Sequence, residues 1–541
     1  MPSRLSNRSR GALAAENHFV WRAIVMITVT AVSGCLVLGP ADPTSASSAG
    51  PGSETVDVFI GQLMRKHRVP GLAVALIADG RVSYAAGYGT ALNEQAVTPD
   101  TPFMLGSISK TFTAVAVLQL VEQHRLDLDA PVQSYLPWFE VADHESSGAI
   151  TVRHLLNHTS GLSELGYNHV PDRGATLEQS VRALRAARPT AGPGTQFQYF
   201  NPNYAVLALL VEAASGKAFG AYVDAHIFQP LRMTHSFADV DEAAAAGMAQ
   251  GHTKLFGFSF PRSVPIGPSQ VGYGHLVASV ADVGRFALAI AGGGIDQGHR
   301  ILEPDSVALM RAAPTGVPES TYGMGWNVWT TDGTRMEGHS GAEETFMSNL
   351  ALLPREGTGY AWLMNQQNVL DPVRSELDAG LTDIVQHRQP RPGGASMSGI
   401  GLATFGVFLL GLALVIRSMT RLRSWADRSR RMSNSALLRR IVPRIVIPLL
   451  ILWSTYHVLG ELVTGRPIAF NFRYIGAYYA PEAALLLSLA IAPALVEGVF
   501  MIVVAFFARF TSAPRARLRV VRSSFALRPQ VEGSRHPGRR A

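Results

Sequence analysis

The chain of 541 residues holds a single cysteine, Cys35, so neither an intramolecular disulfide nor a cysteine-based metal site is open to it. Charge is scarce as well: 16% of residues are Asp, Glu, Lys or Arg, against 47% hydrophobic. A mean hydropathy of +0.14 points to membrane segments. H-E-x-x-H, the P-loop and G-x-G-x-x-G are absent and the 16 histidines lack ligand spacing, so no motif supports a metal or a cofactor. The most informative shortage is lysine. Lys66, Lys110, Lys217 and Lys254 stand among 47 basic residues, and the other 43 are arginine. Arginine keeps its proton to beyond about pH 12 and cannot act as a base, whereas a desolvated lysine releases its proton readily.

The net charge of +7 is unevenly spread: residues 1–50 carry +2, 51–390 carry −11 and 391–541 carry +16. The basic balance belongs to the flanks of hydrophobic segments, and a nucleic-acid partner is not expected. Residues 1–52 combine four arginines, an apolar run from Ala23 to Leu38 and a Ser/Ala/Pro/Gly linker, the layout of a signal peptide or N-terminal anchor. Val32-Ser33-Gly34-Cys35 resembles a bacterial lipobox, which implies a lipidated Cys35; a plain signal or anchor with a buried thiol is the alternative. Beyond the Pro/Gly linker after Pro390, Gly399–Ile416, Ile445–Val463 and Ala484–Ala508 are each long and apolar enough to span a bilayer. Nine arginines lie between Arg417 and Arg444 and nine more between Arg509 and Arg540. Positive-inside places both clusters in the cytoplasm, and the two crossings between them satisfy that. The expected protein is multi-pass in the cell membrane. Residues 391–541 form a three-helix transmembrane region, and 53–390 are extracytoplasmic.

Residues 53–390 read as globular. A helix from Val56 to His67 precedes two apolar runs around Asp79-Gly80, a hairpin signal. Helical patterns fill the middle, including Leu177–Ala187, Tyr204–Ala214 and Asp282–Ala291. Strand patterns return in YGMGWNVWT, TRMEG, ETFMSNLALLP and GYAWLMN, and a helix from Pro372 to Val385 closes the domain. This is an α+β layout, an antiparallel sheet flanked by helices with an all-helical region inserted.

Chemistry concentrates in FMLGSISKTFTAVAVLQLVEQH, residues 103–124. Gly106 turns the chain into a helix that is apolar nearly all round from Phe112 to Val121, the pattern of a buried central helix. Ser107 and Lys110, three residues apart, share a face at its start. A hydroxyl beside a desolvated amine is an activated-nucleophile pair. Three further stretches are distinctive: the loop LLNHTSGL (155–162), Tyr199-Phe200-Asn201, and His339-Ser340-Gly341. Singly, each has a plain reading. Tyr199 between Phe197 and Phe200 suits a core, Asn201 before Pro202 suits a helix start, His339 suits a surface strand and His158 a structural hydrogen bond.

Together and in this order they resemble the serine β-lactamase and DD-peptidase superfamily, in its class C-like branch, across residues 53–387. Y-F-N stands where class A relatives have S-D-N, and H-S-G stands for K-T-G. The resemblance implies a β-lactamase/transpeptidase-like fold with Ser107 as acylated nucleophile. Lys110 and Tyr199 then share the general base and acid, their order left open. Asn201 would position Lys110 and a substrate amide. The oxyanion hole would be the backbone N–H of Ser107 and of Ala342, just past Gly341. His339 would meet the substrate where K-T-G enzymes place a fixed cation. A histidine near its ordinary pKa is largely neutral outside the cell. β-Lactamase and DD-carboxypeptidase activity should therefore be weak, with esters or amides lacking that carboxylate preferred. D-Aminopeptidases and esterases of the superfamily share the H-x-G variant. The expected partners are a small-molecule or peptide substrate, cell-wall fragments included, and the membrane. The layout also resembles prodrug-activating peptidases of nonribosomal-peptide pathways, the colibactin-maturation type, which remove an N-acyl-D-asparagine cap during export. From another class, a non-turnover penicillin-binding sensor is the alternative.

Overall fold

The computed structural model describes residues 53–167, 174–318, 320–331, 333–367 and 371–390, the short strand Ala46–Ser47, and 428–464 and 497–507. A scatter of single residues and short stretches between 405 and 425, and residue 495, are also described. Helix α1, Ser53–His67, leads into β1, Gly71–Ala78, and β2, Arg81–Gly89. The two strands are joined by Asp79 and Gly80, both at positive φ (54° and 65°), the left-handed pair that a tight hairpin turn demands. The central helix α2, Ser109–Glu122, is buried continuously from Ser109 to Leu120. Helix α3, Pro202–Ser215, starts on a proline at its first turn and ends on Gly216 in the left-handed conformation. Helix α4, Val280–Ala291, follows, with Phe286 stacked on Phe112 of α2 at 4.1 Å between ring centroids.

The closing strands are β3, Asn327–Thr331, β4, Thr334–Ala342, β5, Met347–Leu353, and β6, Thr358–Met364, before helix α5, Val373–Val385. They complete a seven-stranded sheet in the order Ala46–Ser47, β2, β1, β6, β5, β4, β3. Every pair is antiparallel, and the first hairpin joins the last strands through β1 and β6, with Val74 opposite Trp362. Period-two alternation sorts β1 between two cores. Leu72, Val74 and Leu76 pack with α1 and α5, while Ala73, Ala75 and Ile77 face the larger core that holds α2, α3 and α4.

Two boundaries differ from those expected. The strand read from Tyr322 begins at Asn327, because Gly325 takes φ +65° and packs against the Lys110 carbonyl. His339-Ser340-Gly341 lies inside β4 rather than leading toward a strand.

By contact the chain divides into two compact units, Met1–Leu410 with Leu452–Leu489, and Gly411–Ile451 with Ala490–Ala541. In the second unit Trp425, Ile441 and Met501 cluster, Trp425 Nε1 donates to Met501 O at 3.0 Å, and Arg444 lies 3.5 Å from Glu497. The N-terminal signal or anchor and Cys35 lie outside the described residues, as do 391–404. The expected spans Gly399–Ile416 and Ala484–Ala508 are described only in part, whereas Ile445–Val463 falls within a 31-residue helix, Asn434–Thr464. Among the described residues no single helix is long and apolar enough to cross a membrane.

Candidate active site

Gly106 at φ +56° is the hinge of the site. A Cβ there would stand 2.7 Å from Ala342 N, so the glycine lets the turn before α2 lie against the end of β4. Gly341 makes the same approach from the other side, where a side chain would strike Leu105 O and Ser348 Oγ. The backbone of Gly106-Ser107 is thereby held beside Gly341-Ala342, with Ser348 Oγ donating to Leu105 O at 2.7 Å.

A single 3₁₀ turn, Gly106–Ile108, presents Ser107 and runs directly into α2. Lys110 is fully buried, and its Nζ donates to Ser107 Oγ at 3.0 Å and to Tyr273 O at 2.9 Å. The rings of Tyr199, Tyr273 and Tyr204 surround the amine at 5.0, 5.5 and 5.9 Å from their centroids. Burial drives the Lys110 pKa down to about 7, with the Glu343 carboxylate pulling the other way. The contrast with its neighbours in composition is sharp. Lys254, as deeply buried, is bonded to Asp371, and Lys66 to Glu376 at 2.8 Å. Lys110 is bonded to a hydroxyl and a carbonyl.

Tyr199 Oη donates to the same Ser107 Oγ at 3.0 Å. Burial pushes its phenol upward, the hydrogen bond to Ser107 opposes this and the Glu343 charge adds to it. The 37% of Tyr199 that faces the open cleft lets water temper that rise. The segment carrying Tyr199 is pinned by the loop 155–162. His158, at φ +55°, accepts Gln198 N on its carbonyl at 2.8 Å and Phe200 N on Nδ1 at 3.2 Å. Burial, with Lys110 nearby, keeps His158 neutral, as befits a structural hydrogen-bonder.

His339 is 6% exposed rather than on the surface. Its Nδ1 lies 2.7 Å from Ser340 O, a carbonyl, which fixes the proton on Nδ1 and leaves Nε2 to accept Tyr322 Oη at 3.0 Å. Burial, and after it Lys110, lower its pKa to about 3. The position where a fixed cation would serve a carboxylate is thus neutral. Asn201 departs from its expected contact: among the described residues no hydrogen bond links it to Lys110, and its buried Oδ1 has no hydrogen-bond partner. Sequence reading missed Tyr322 and Tyr273, single residues with no motif around them, and Glu343, which directly follows the H-S-G-A stretch.

Ser107, Tyr199, Tyr322, His339, Gly341 and Ala342 share one cleft of about 1070 Å³. A larger cavity of about 1830 Å³, lined in part by Glu343 and His275, does not include Ser107, and the chemistry belongs to the smaller one.

The family model "Beta-lactamase" matches residues 56–382. The chain belongs to the beta-lactamase family. It is a serine hydrolase with the acyl-enzyme chemistry typical of that family. Penicillin-binding protein 4 of Amycolatopsis lactamdurans is 33% identical over 316 residues, 56% of this chain and 82% of that one. Unguisins hydrolase ungD' of Aspergillus campestris is 29% identical, with 55% of this chain matched to 58% of that protein. Among solved structures, the octameric penicillin-binding protein homologue from Pyrococcus abyssi superposes with a TM-score of 0.54 at 26% identity, covering 62% of this chain and 78% of that chain.

Proposed function

We propose that this family member is a membrane-anchored, extracytoplasmic serine hydrolase acting through a Ser107 acyl-enzyme on esters or amides of the peptide or D-amino-acid type. The observation that carries the assignment is the convergence of Lys110 Nζ and Tyr199 Oη on Ser107 Oγ, each at 3.0 Å. Lys110, with its pKa of about 7, is the base. In its neutral form the contact reverses and the serine hydroxyl donates to the amine. Ser107 Oγ bonds to the carbonyl carbon while the serine proton passes to Lys110. The oxyanion is held by the N–H groups of Ser107 and Ala342. Tyr199, whose phenol stays protonated, gives its proton to the leaving oxygen or nitrogen and regains one from Lys110. Water then cleaves the acyl bond by the reverse path. Asn201 is assigned to the substrate amide, the role that its place in the Y-F-N stretch implies.

Neutral His339 supports weak turnover of β-lactams and of peptides ending in a carboxylate beside the scissile bond. The Arg-rich stretches flanking three apolar runs support the membrane anchor and an outward-facing catalytic domain. The name of the Amycolatopsis relative favours a second reading, a penicillin-reactive protein without rapid turnover.

The test is fluorophosphonate labelling of the purified full-length protein, followed by a panel of p-nitrophenyl esters, D-amino-acid amides, an N-acyl-D-Asn amide and nitrocefin. Labelling and ester or amide turnover, both lost in Ser107→Ala, are expected. Stable penicillin labelling with no turnover establishes the second reading, and rapid nitrocefin hydrolysis refutes the stated preference.

A further inference from the structure

Residues 252–262 read HTKLFGFSFPR, three phenylalanines at alternate positions with an arginine behind them. The short strands His252–Leu255 and Phe258–Pro261 pair antiparallel around a two-residue turn, Phe256 and Gly257, at φ 52° and 81°. Hairpin turns of this kind favour Asn, Asp or Gly first, so a phenylalanine in the left-handed region is strained. The base of the hairpin is held firmly. Lys254 Nζ donates to Asp371 and to the His67 carbonyl, and Ser259 Oγ donates to Arg68 O at 2.8 Å. Its outer strand is apolar: Phe258 is half-buried, Phe260 is 47% exposed and Pro261 is exposed. The Arg68 guanidinium stands 4.7 Å from the centre of the Phe258 ring. The turn residue Phe256 is buried by two rings from far along the chain, Phe405 at 5.3 Å and Phe408 at 5.5 Å between centroids. Both belong to the apolar run 399–416, and Leu410 of the same run is 61% exposed.

We propose that the hairpin 252–262 is a membrane-contacting element: Phe260 and Pro261 enter the outer leaflet of a phospholipid bilayer beside the run 399–416, with Arg68 and Arg262 at the lipid phosphates. The inference rests on the membrane-anchor reading given above. A ring packed against a segment that enters the bilayer stands at the bilayer surface, so the contacts of Phe256 fix the height of the hairpin. Exposed Phe and Pro beside arginines suit the boundary between headgroups and acyl chains, where apolar side chains sink and cations stay with phosphate. Charge agrees with this. Residues 51–390 carry −11, yet the charged groups flanking these rings are arginines. The hairpin then does what a linker alone does not: it ties the catalytic domain to the bilayer at a second point, close to where the chain enters.

The experiment uses the full-length protein with Cys35→Ser as background, reconstituted in vesicles of phosphatidylcholine and phosphatidylglycerol. Phe260→Cys, Leu410→Cys and Thr331→Cys each carry an environment-sensitive fluorophore. Two quenchers are compared: phosphatidylcholine with a nitroxide near the top of its acyl chain, and aqueous iodide. The nitroxide lipid should quench the fluorophores at Phe260 and Leu410 by about two-fold or more and spare the one at Thr331, which iodide reaches. Pro261→Cys is a second site on the same strand, should Phe260→Cys not fold. Quenching at Leu410 by lipid, with the hairpin reached only by iodide, overturns the inference and leaves the anchor standing. A hairpin fluorophore shielded from both quenchers marks a protein contact and also overturns it. If the nitroxide lipid does not reach Leu410, the anchor reading falls and this inference falls with it.

Discussion

Lys110 is costly to the fold, and the proposed mechanism depends on it. Its pKa in the folded chain is about 7, against about 10.4 for a free lysine, so between these values the unfolded chain binds the proton and the folded chain does not. Stability therefore rises with pH across that window, and the full penalty of burying the ammonium is present below pH 7. Lys110→Met should remove that penalty, which is of the order of a few kcal/mol. It is expected to raise the melting temperature at pH 6 by at least about 2 °C and to lower acylation by about 10²–10⁴-fold. A thermal melt paired with a labelling rate measures both. The pH profile of kcat/KM makes a second prediction at the same scale. It should rise through about pH 7 with Lys110, with no inflection from His339, whose pKa near 3 keeps it neutral throughout. An inflection that vanished in His339→Gln would contradict this assignment.

The strand β4 and the turn before α2 are the elements that turn separate motifs into one site. Their contact is permitted by two glycines, Gly106 and Gly341. Gly341→Ala is expected to push β4 away from Leu105 O, lowering the melting temperature and the acylation rate together, whereas an alanine at Gly80, whose Cβ meets nothing, should leave acylation near wild type. The elements were legible because their signals are local. Asp79-Gly80 marked the hairpin, and the all-round apolar run marked α2. Ser107 and Lys110 were legible through their spacing, and Tyr199 only through the family resemblance of the Y-F-N stretch. Tyr322 and Tyr273 were not, because each reaches the site through backbone paths that no short pattern encodes. The start of β3 was misplaced for a related reason: a left-handed glycine packed on α2 is a tertiary constraint on a sequence that alternates like a strand. Asn201 was placed correctly in the chain, yet its amide oxygen faces no lysine.

At the scale of the whole molecule, the orientation proposed from the arginine clusters that begin at Arg417 can be checked without any knowledge of substrate. With Cys35→Ser as background, single cysteines at Ser433 and at Ser523 should resist a membrane-impermeant maleimide in intact cells, while one at exposed Thr331 should react. Labelling at Ser433 from outside would invert the topology. The sheet itself carries a consequence in time. On its β1 side the first hairpin pairs with β6, nearly 290 positions later, and the proposed oxyanion partner of Ser107 arrives with β4. A ribosome that has made two thirds of this domain has therefore made Ser107 and Lys110 but no working catalyst. Synthesis must all but finish the domain before the proposed site can be assembled.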